Sequence, residues 1–541
     1  MASQSSHEIF MAIVFITTMF SLAGSCKFTS TKDLCDTALF PDSCHNSLAN
    51  LTTPRNHTRL DTIFERSARV ALTAVSKASS RFSTRGAIKK LMRVDEKLSI
   101  SALESCATLL SLAMDNINES LSVSKQVSFS SGARMDIMTW MSAAGTDLRT
   151  CMDEFEGFSH DVKKFVREEL DNSTKYISNS LAIVTRIHSC LGSMKVRYSS
   201  SFGYWVNETK NLLDANTTKI KIDIVVAQDG TGNFTAITDA LKTVPDRSLN
   251  RFVIYVKKGT YYENVRVEKS KWNVMMIGEG MEQTVVSSNL SYAGGTKTFM
   301  TATFAVFGRG FVARQIAFRN TAPASQAVAL LSTSDKSVFF QCLVESKQDT
   351  LYAHSKRQFY RECTIIGTMD FIFGNSAAVI QTSLILLKNP FPGRTNVITA
   401  QGKSDPNQKT GFSVHNCTIR PAGKEGLGGA RAFLGRPWRD YSTVVFMQTY
   451  IDGSVDPEGW LAWDASRPDP STVFYREYGN SGPGANTSGR VKWAGVKVEL
   501  DESEAEKFTV GRLIGGQEWL PETRVPFRLG LLKGNSKMRS D

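Results

Sequence analysis

The strongest constraint on this chain is a self-similarity within its second half, where FFQCLVESKQDTLYA (339–353) lies over FYRECTIIGTMDFIFG (359–374) at a shift of 21 residues. That shift sets Phe339 over Tyr360, Cys342 over Cys363, Val344 over Ile365, Asp349 over Asp370 and Leu351 over Ile372. One step earlier, at a shift of 22, Phe318 falls over Phe340 and Gln326 over Gln348. A unit this short cannot bury its own apolar side, so it must stack on its neighbours. A coil of 21–22 residues suits a right-handed parallel β-helix, in which equivalent residues become strand neighbours about 4.8 Å apart. Stacked Cys342 and Cys363 would then have Cα atoms roughly 5 Å apart, inside the disulfide range, so a bridge between coils is expected.

The repeat sits in only one part of the chain. From Thr31 to Ser193 the pattern is helical, as in ISALESCATLLSLAMDNINESL, and Pro41 and Pro54 are the only prolines. Short apolar runs dominate later, among them FVIYV (252–256), NVMMIG (273–278), AVAL (327–330) and AVIQTSLILL (378–387). Between these halves residues 197–221 are polar and rich in Ser, Asn and Thr, which reads as a linker. The expected organisation is an all-α helical bundle at 26–196, a linker or processing region at 197–221, an all-β right-handed parallel β-helix at 222–535 and a polar tail at 536–541.

Residues 1–25 hold an apolar run from Ile9 to about Gly24 that ends on small residues, the pattern of a secretory signal peptide. No Lys or Arg precedes the run, which leaves a signal anchor as the alternative. Secretion makes ten Asn-x-Ser/Thr sequons candidate glycan sites: Asn50, Asn56, Asn118, Asn172, Asn207, Asn216, Asn233, Asn289, Asn416 and Asn486. The net charge of +12 lies mostly in residues 221–541, with 39 Lys/Arg against 30 Asp/Glu, and favours a polyanionic partner. Nucleic acid is disfavoured, because the signal directs the chain away from it and no zinc-finger spacing or basic-aromatic tract occurs. An acidic polysaccharide fits, and activity on it should be sensitive to salt.

Stacking also brings Asp349 and Asp370 onto one face, where both cannot comfortably be ionised. One should hold a proton, giving an acid and a nucleophile or base from identical side chains. Gln326 and Gln348 add neutral amide donors suited to an oxyanion. The alternatives are turn-capping aspartates and a glutamine ladder. No GxSxG, no HExxH and no ligand-spaced histidines occur, so no metal and no cofactor are expected.

The segments QAVAL (326–330), QDTLY (348–352), GTMDFIFGN (367–375), LGRPW (434–438) and GTYYENV (259–265) resemble, in order and spacing, those of plant pectin methylesterases. The resemblance runs from about Ile222 to Leu532 and includes ITAQGKSDPNQKTGF (398–412) and PFRLGLL (526–532). It implies removal of methyl esters from homogalacturonan, with Asp370 as nucleophile, Asp349 as proton donor, and Gln348 and Gln326 stabilising the oxyanion. Arg436 would pair with Asp370, Trp438 would face a sugar ring, and Thr298 in KTFMTATF would add a substrate contact. The sequence departs from the family pattern at Leu331 and Met369, which bears on substrate preference. A two-carboxylate site would also serve a polygalacturonase, but no GHG segment or calcium loop is present.

The helical half resembles the pectin methylesterase inhibitor domain that precedes such enzymes. That resemblance implies Cys35–Cys44 and Cys106–Cys151 disulfides, free thiols at Cys190 and Cys417, and Cys26 at the signal cleavage point. It also implies an intramolecular inhibitor or chaperone, inhibitor proteins and a processing protease as partners, a monomeric catalytic domain and a place in the cell wall. The linker reads TKNLLD (209–214) where related precursors carry a dibasic site.

Overall fold

The computed structural model describes residues 31–36, 38–49, 60–83, 92, 96–126, 130–191, 220–323, 325–464 and 470–532. The signal segment, most of the linker, the polar tail, Cys26 and the sequons Asn50, Asn56, Asn207 and Asn216 lie outside them.

The first half is an all-α bundle. Two short helices, α1 (Thr31–Cys35) and α2 (Pro41–Leu48), precede four long ones: α3 (Leu60–Ser83), α4 (Glu96–Gln126), α5 (Ser131–Asp153) and α6 (His160–Leu191). Apolar residues recurring every three or four positions, such as Phe64, Ala68, Ala71 and Val75 on α3, form a buried stripe facing the other helices. Ser130 caps α5 by accepting from the Ala133 amide, which sets where the helix begins. Cys35–Cys44 joins α1 to α2 and Cys106–Cys151 joins α4 to α5, with Cα atoms 5.5 and 4.5 Å apart. Cys190, expected as a thiol, is disulfide-bonded; its place near the end of α6 gave no local sign of that.

The second half is a parallel β-helix. Its strands form three parallel sheets of eleven, seven and eight strands, each strand pairing with its equivalent one coil away. Inside the coil, Phe304, Phe311, Phe318, Phe339 and Tyr360 make a continuous aromatic contact, and Phe339 stacks on Tyr360 at 5.1 Å. Strands here look uniformly apolar because their outer faces are covered too. Val338 and Phe340 point away from Phe339 and pack under C-terminal residues that include Leu513 and Trp519. On the opposite side Leu331, Tyr352 and Phe373 join the core of the helical bundle.

The repeat of 21 residues does not hold along the whole β-helix. The spacing is 26 from Val312 to Val338, 21 from Val338 to Phe359, 20 from Phe359 to Val379 and 34 from Val379 to Ser413. Phe318 therefore pairs with Val344, not Phe340. The extra length enters as loops, since an insertion inside a strand would flip every following side chain.

The expected Cys342–Cys363 bridge is corrected: both are buried free thiols, as is Cys417. In-register neighbours of a parallel sheet hold their Cβ bonds side by side about 4.8 Å apart, whereas a disulfide needs Cβ atoms converging to about 3.8 Å. The thiols instead donate to carbonyls, Cys363 Sγ to Phe339 O at 3.2 Å and Cys342 Sγ to Phe340 O at 3.4 Å. Alkylation in denaturant without reductant, followed by peptide mapping, should find Cys342 and Cys363 each modified singly; a linked peptide pair would contradict this packing.

Candidate active site

Asp349 and Asp370 occupy equivalent corners of successive coils. The first follows strand Leu343–Glu345 and precedes Leu351–Ala353; the second follows Thr364–Gly367 and precedes Ile372–Gly374. The Asp349 amide donates to Met369 O at 3.2 Å and that of Leu351 to Phe371 O at 2.8 Å, which holds the two corners in register. Both aspartates have left-handed backbone, φ 60° and 49°, a region that Asp enters more readily than most residues. Gly367 makes the second corner possible, because a Cβ there would lie 2.3 Å from the Phe371 Cβ.

The two carboxyls are 8% and 6% exposed, so their environments decide their charge. Arg436, just beyond strand Ala432–Gly435, grips Asp370 in a bidentate pair, Nε to Oδ1 at 2.8 Å and Nη2 to Oδ2 at 2.5 Å. Burial raises the pKa of Asp370, and the hydrogen bonds and charge of Arg436 oppose that rise. Asp349 is driven well above the usual carboxylate range by burial first and by the Asp370 charge second, with Arg436 and a Gln348 hydrogen bond only partly opposing. The pair therefore shares its charge unequally, with the proton on Asp349 and the anion on Asp370.

Gln326 and Gln348 face each other across a parallel bridge one coil apart. Thr298 opens a short 3-10 turn, Thr298–Met300. Trp438 seats its ring over Gly402, where a Cβ would come within 2.8 Å of the indole, and its centroid is 6.1 Å from that of Phe373. All seven residues named from sequence, Asp349, Asp370, Gln326, Gln348, Thr298, Arg436 and Trp438, line one cavity of about 540 Å³.

Sequence reasoning missed further lining residues. Tyr352 and Phe373, each third after its aspartate, stack at 4.1 Å. Their equivalence in the repeat was a usable signal. Trp463, with its ring 4.3 Å from the Arg436 guanidinium, had none. Lys297 and Arg439 were also passed over, although they adjoin the named Thr298 and Trp438. Among the described residues no group of three or more His, Cys, Asp or Glu is placed to hold a metal.

The helical half contributes to this cavity. Arg149, Thr150 and Asp153 at the end of α5, with Glu154 and Glu156 just beyond, form part of its wall. Thr150 Oγ1 lies 3.0 Å from His354 Nε2, and Asn375 Nδ2 donates to Thr146 Oγ1 at 2.9 Å. Arg357 Nη1 reaches Asp136 of α5 at 2.7 Å and its Nη2 reaches Asp335 of its own domain at 2.6 Å. Asp153 pairs with Arg439, and the Lys297 amide donates to Ser101 Oγ of α4 at 2.9 Å. These contacts seat α5 over the two aspartates.

The family model for pectinesterase matches residues 223–517, and that for plant invertase/pectin methylesterase inhibitor matches residues 29–183. A pectinesterase/pectinesterase inhibitor of Arabidopsis thaliana is 44% identical over 515 residues, covering 94% of this chain and 89% of the relative. Pectinesterase 3 of Phaseolus vulgaris is 43% identical over 512 residues, 92% of this chain and 86% of the relative. The solved structure of pectin methylesterase from carrot is 44% identical, with a TM-score of 0.57, and covers 58% of this chain and 99% of its own.

Proposed function

The chain belongs to the pectinesterase family, and from that premise we propose that Asp370 attacks the C6 carbonyl of a methyl-esterified galacturonate unit while Asp349 serves as the acid. The chain is a carboxylic ester hydrolase that removes methyl esters from pectin, preceded by an inhibitor-type domain. The observation carrying the assignment of roles is the bidentate Arg436 on Asp370, which keeps that carboxyl anionic beside a neighbour that holds its proton.

An Asp370 oxygen bonds to C6, and the carbonyl electron pair moves onto oxygen, where the Gln326 and Gln348 amides donate to it. When this intermediate collapses, the bond from C6 to the methoxyl oxygen breaks and Asp349 protonates that oxygen, releasing methanol. The resulting anhydride between Asp370 and the sugar is attacked by water, whose proton passes to Asp349. Cleavage of the anhydride frees the Asp370 carboxylate and a galacturonic acid that loses its proton to solvent, and no cofactor enters the cycle. Trp438 offers a ring face to the sugar and Thr298 a hydroxyl at the cavity edge.

Residues 222–535 carry this reaction, and the bundle at 26–196 restrains it until a protease cuts within 197–221. The wall formed by α5 supports that restraint. The single Lys210 in TKNLLD fits slow or displaced processing. The signal segment directs the chain to the cell wall, the catalytic domain acts as a monomer, and separate inhibitor proteins of the bundle type compete for the same cleft. The test is methanol release from methylated pectin by chain cut in the linker, with polymer length followed in parallel. Methanol without shortening supports the esterase; shortening would indicate glycosidic cleavage instead.

The pH profile gives a second check. Catalysis needs Asp370 ionised and Asp349 protonated, so the rate falls at low pH through the Asp370 pKa and at high pH through the raised Asp349 pKa. Arg436→Gln removes the group that opposes burial at both carboxyls, so both limbs should move to higher pH. The acid limb should move further, because only Asp370 is hydrogen-bonded to Arg436. An acid limb that stays in place would remove Arg436 from this role.

A further inference from the structure

The helix α5 ends on two acidic residues, Asp153 and its C-cap Glu154, with no basic residue in its last turn. This is the wrong charge for a helix C-terminus, where the macrodipole already concentrates negative potential. Arg149, one turn back on α5, lies 3.8 Å from Asp153, and the other cations that answer these carboxylates come from the catalytic half. Asp153 pairs with Arg439, whose guanidinium lies 5.0 Å from the Trp438 ring centroid. Glu154 is 5% exposed and Lys297 3% exposed; burial raises the Glu154 pKa to about 7 and lowers that of Lys297, and each charge partly opposes the other's shift across the domain boundary. Lys297 Nζ donates to the Glu156 carbonyl at 3.2 Å and stands 4.7 Å from the Phe158 ring centroid and 5.2 Å from that of Tyr292.

Every one of these groups except Phe158 lines the cavity that holds Asp349 and Asp370. Without the helical half, Lys297 loses Glu154, the Glu156 carbonyl, the Phe158 ring and Ser101 together. Arg439 likewise keeps the Trp438 face and loses Asp153. Lys297 and Arg439 are then left without those partners in a cleft whose other catalytic-half cation, Arg436, is held by Asp370.

We propose that Lys297 and Arg439 are carboxylate-reading residues of the substrate cleft, recognising galacturonate units already freed of their methyl esters, and that Asp153 and Glu154 occupy their positions as mimics of two such carboxylates. The inference rests on the reading of this cleft as a pectin site. It makes the enzyme's own product compete with the helical domain for the same cations.

The test uses the full chain with a protease site inserted between residues 197 and 219, cut after folding so that the halves remain associated. Displacement of the helical half is followed with hexagalacturonate and with its uncharged hexaamide, which has the same shape and is not an ester. The acid should displace at about tenfold lower concentration than the amide, the scale of one or two charge-assisted hydrogen bonds. Lys297→Gln with Arg439→Gln should abolish that preference, and Asp153→Asn with Glu154→Gln should let both oligomers displace more easily. Equal displacement by acid and amide, no displacement by either, or a preference that survives in the Lys297/Arg439 variant would overturn the proposal. Methanol release from methylated pectin by the same cut protein is read separately. If it persists while the acid preference is absent, the esterase reading stands and this inference falls; if it is absent, the reading of the cleft falls first.

Discussion

Asp370→Asn, in chain cut within the linker, should release methanol from methylated pectin at about 10⁻³ to 10⁻⁴ of the parent rate, the scale of losing a nucleophile. Asparagine keeps the shape of aspartate and tolerates the left-handed backbone at this corner, φ 49°. What it removes is the negative charge. Two consequences are separable. The acyl intermediate can no longer form, and Arg436 loses its bidentate anion. Breaking a fully buried pair costs about 3–5 kcal/mol. Arg436 here keeps 19% of its side chain exposed, which relieves part of that cost. A melting point lowered by only a few degrees is therefore expected alongside the lost rate. The Asp349 carboxyl should also titrate at lower pH, since the neighbouring charge that raises its pKa is gone. A variant that folds normally and still releases methanol at the parent rate would remove Asp370 from the reaction.

The second large effect concerns the bundle. Intact chain should act on methylated pectin roughly a hundredfold more slowly than chain cut in the linker and diluted. The α5 end forms part of the wall of the cavity that holds both aspartates, so a seated bundle narrows a polymer's path to them. A tethered domain faces its site at an effective concentration on the order of millimolar, and cutting converts this to a bimolecular contact that weakens on dilution. Methanol release should rise with dilution after the cut and stay flat before it. Equal specific activity for cut and intact chain at every concentration would show that the roof does not block the cleft.

Much of this was legible in the sequence because a stacked coil converts linear spacing into proximity. Asp349 over Asp370, Phe339 over Tyr360 and Leu351 over Ile372 needed only one shift of 21 residues. The same reasoning failed for Phe318, since the preceding coil is five residues longer at Val312 to Val338, and loop length leaves no trace in strand pattern. It failed for Cys342 and Cys363 for a different reason: neighbouring positions do not imply converging bonds. Arg436 and Trp438 belong to a later coil with no match to the repeat, and family resemblance alone named them. The partnership of α5 with the cleft was not readable, because periodicity marks the inward face of a helix and says nothing of what its polar end will meet.

The left-handed corners under Asp349 and Asp370 carry one further consequence, for descent rather than for chemistry. Asparagine, closest in shape to aspartate, accepts that backbone with less strain than most side-chain-bearing residues. The changes the scaffold tolerates best at these two positions are therefore also among those that silence the enzyme. A duplicated gene drifting here would yield a correctly folded protein with an intact cleft and no esterase activity, a sequestering decoy for the polymer its ancestor modified.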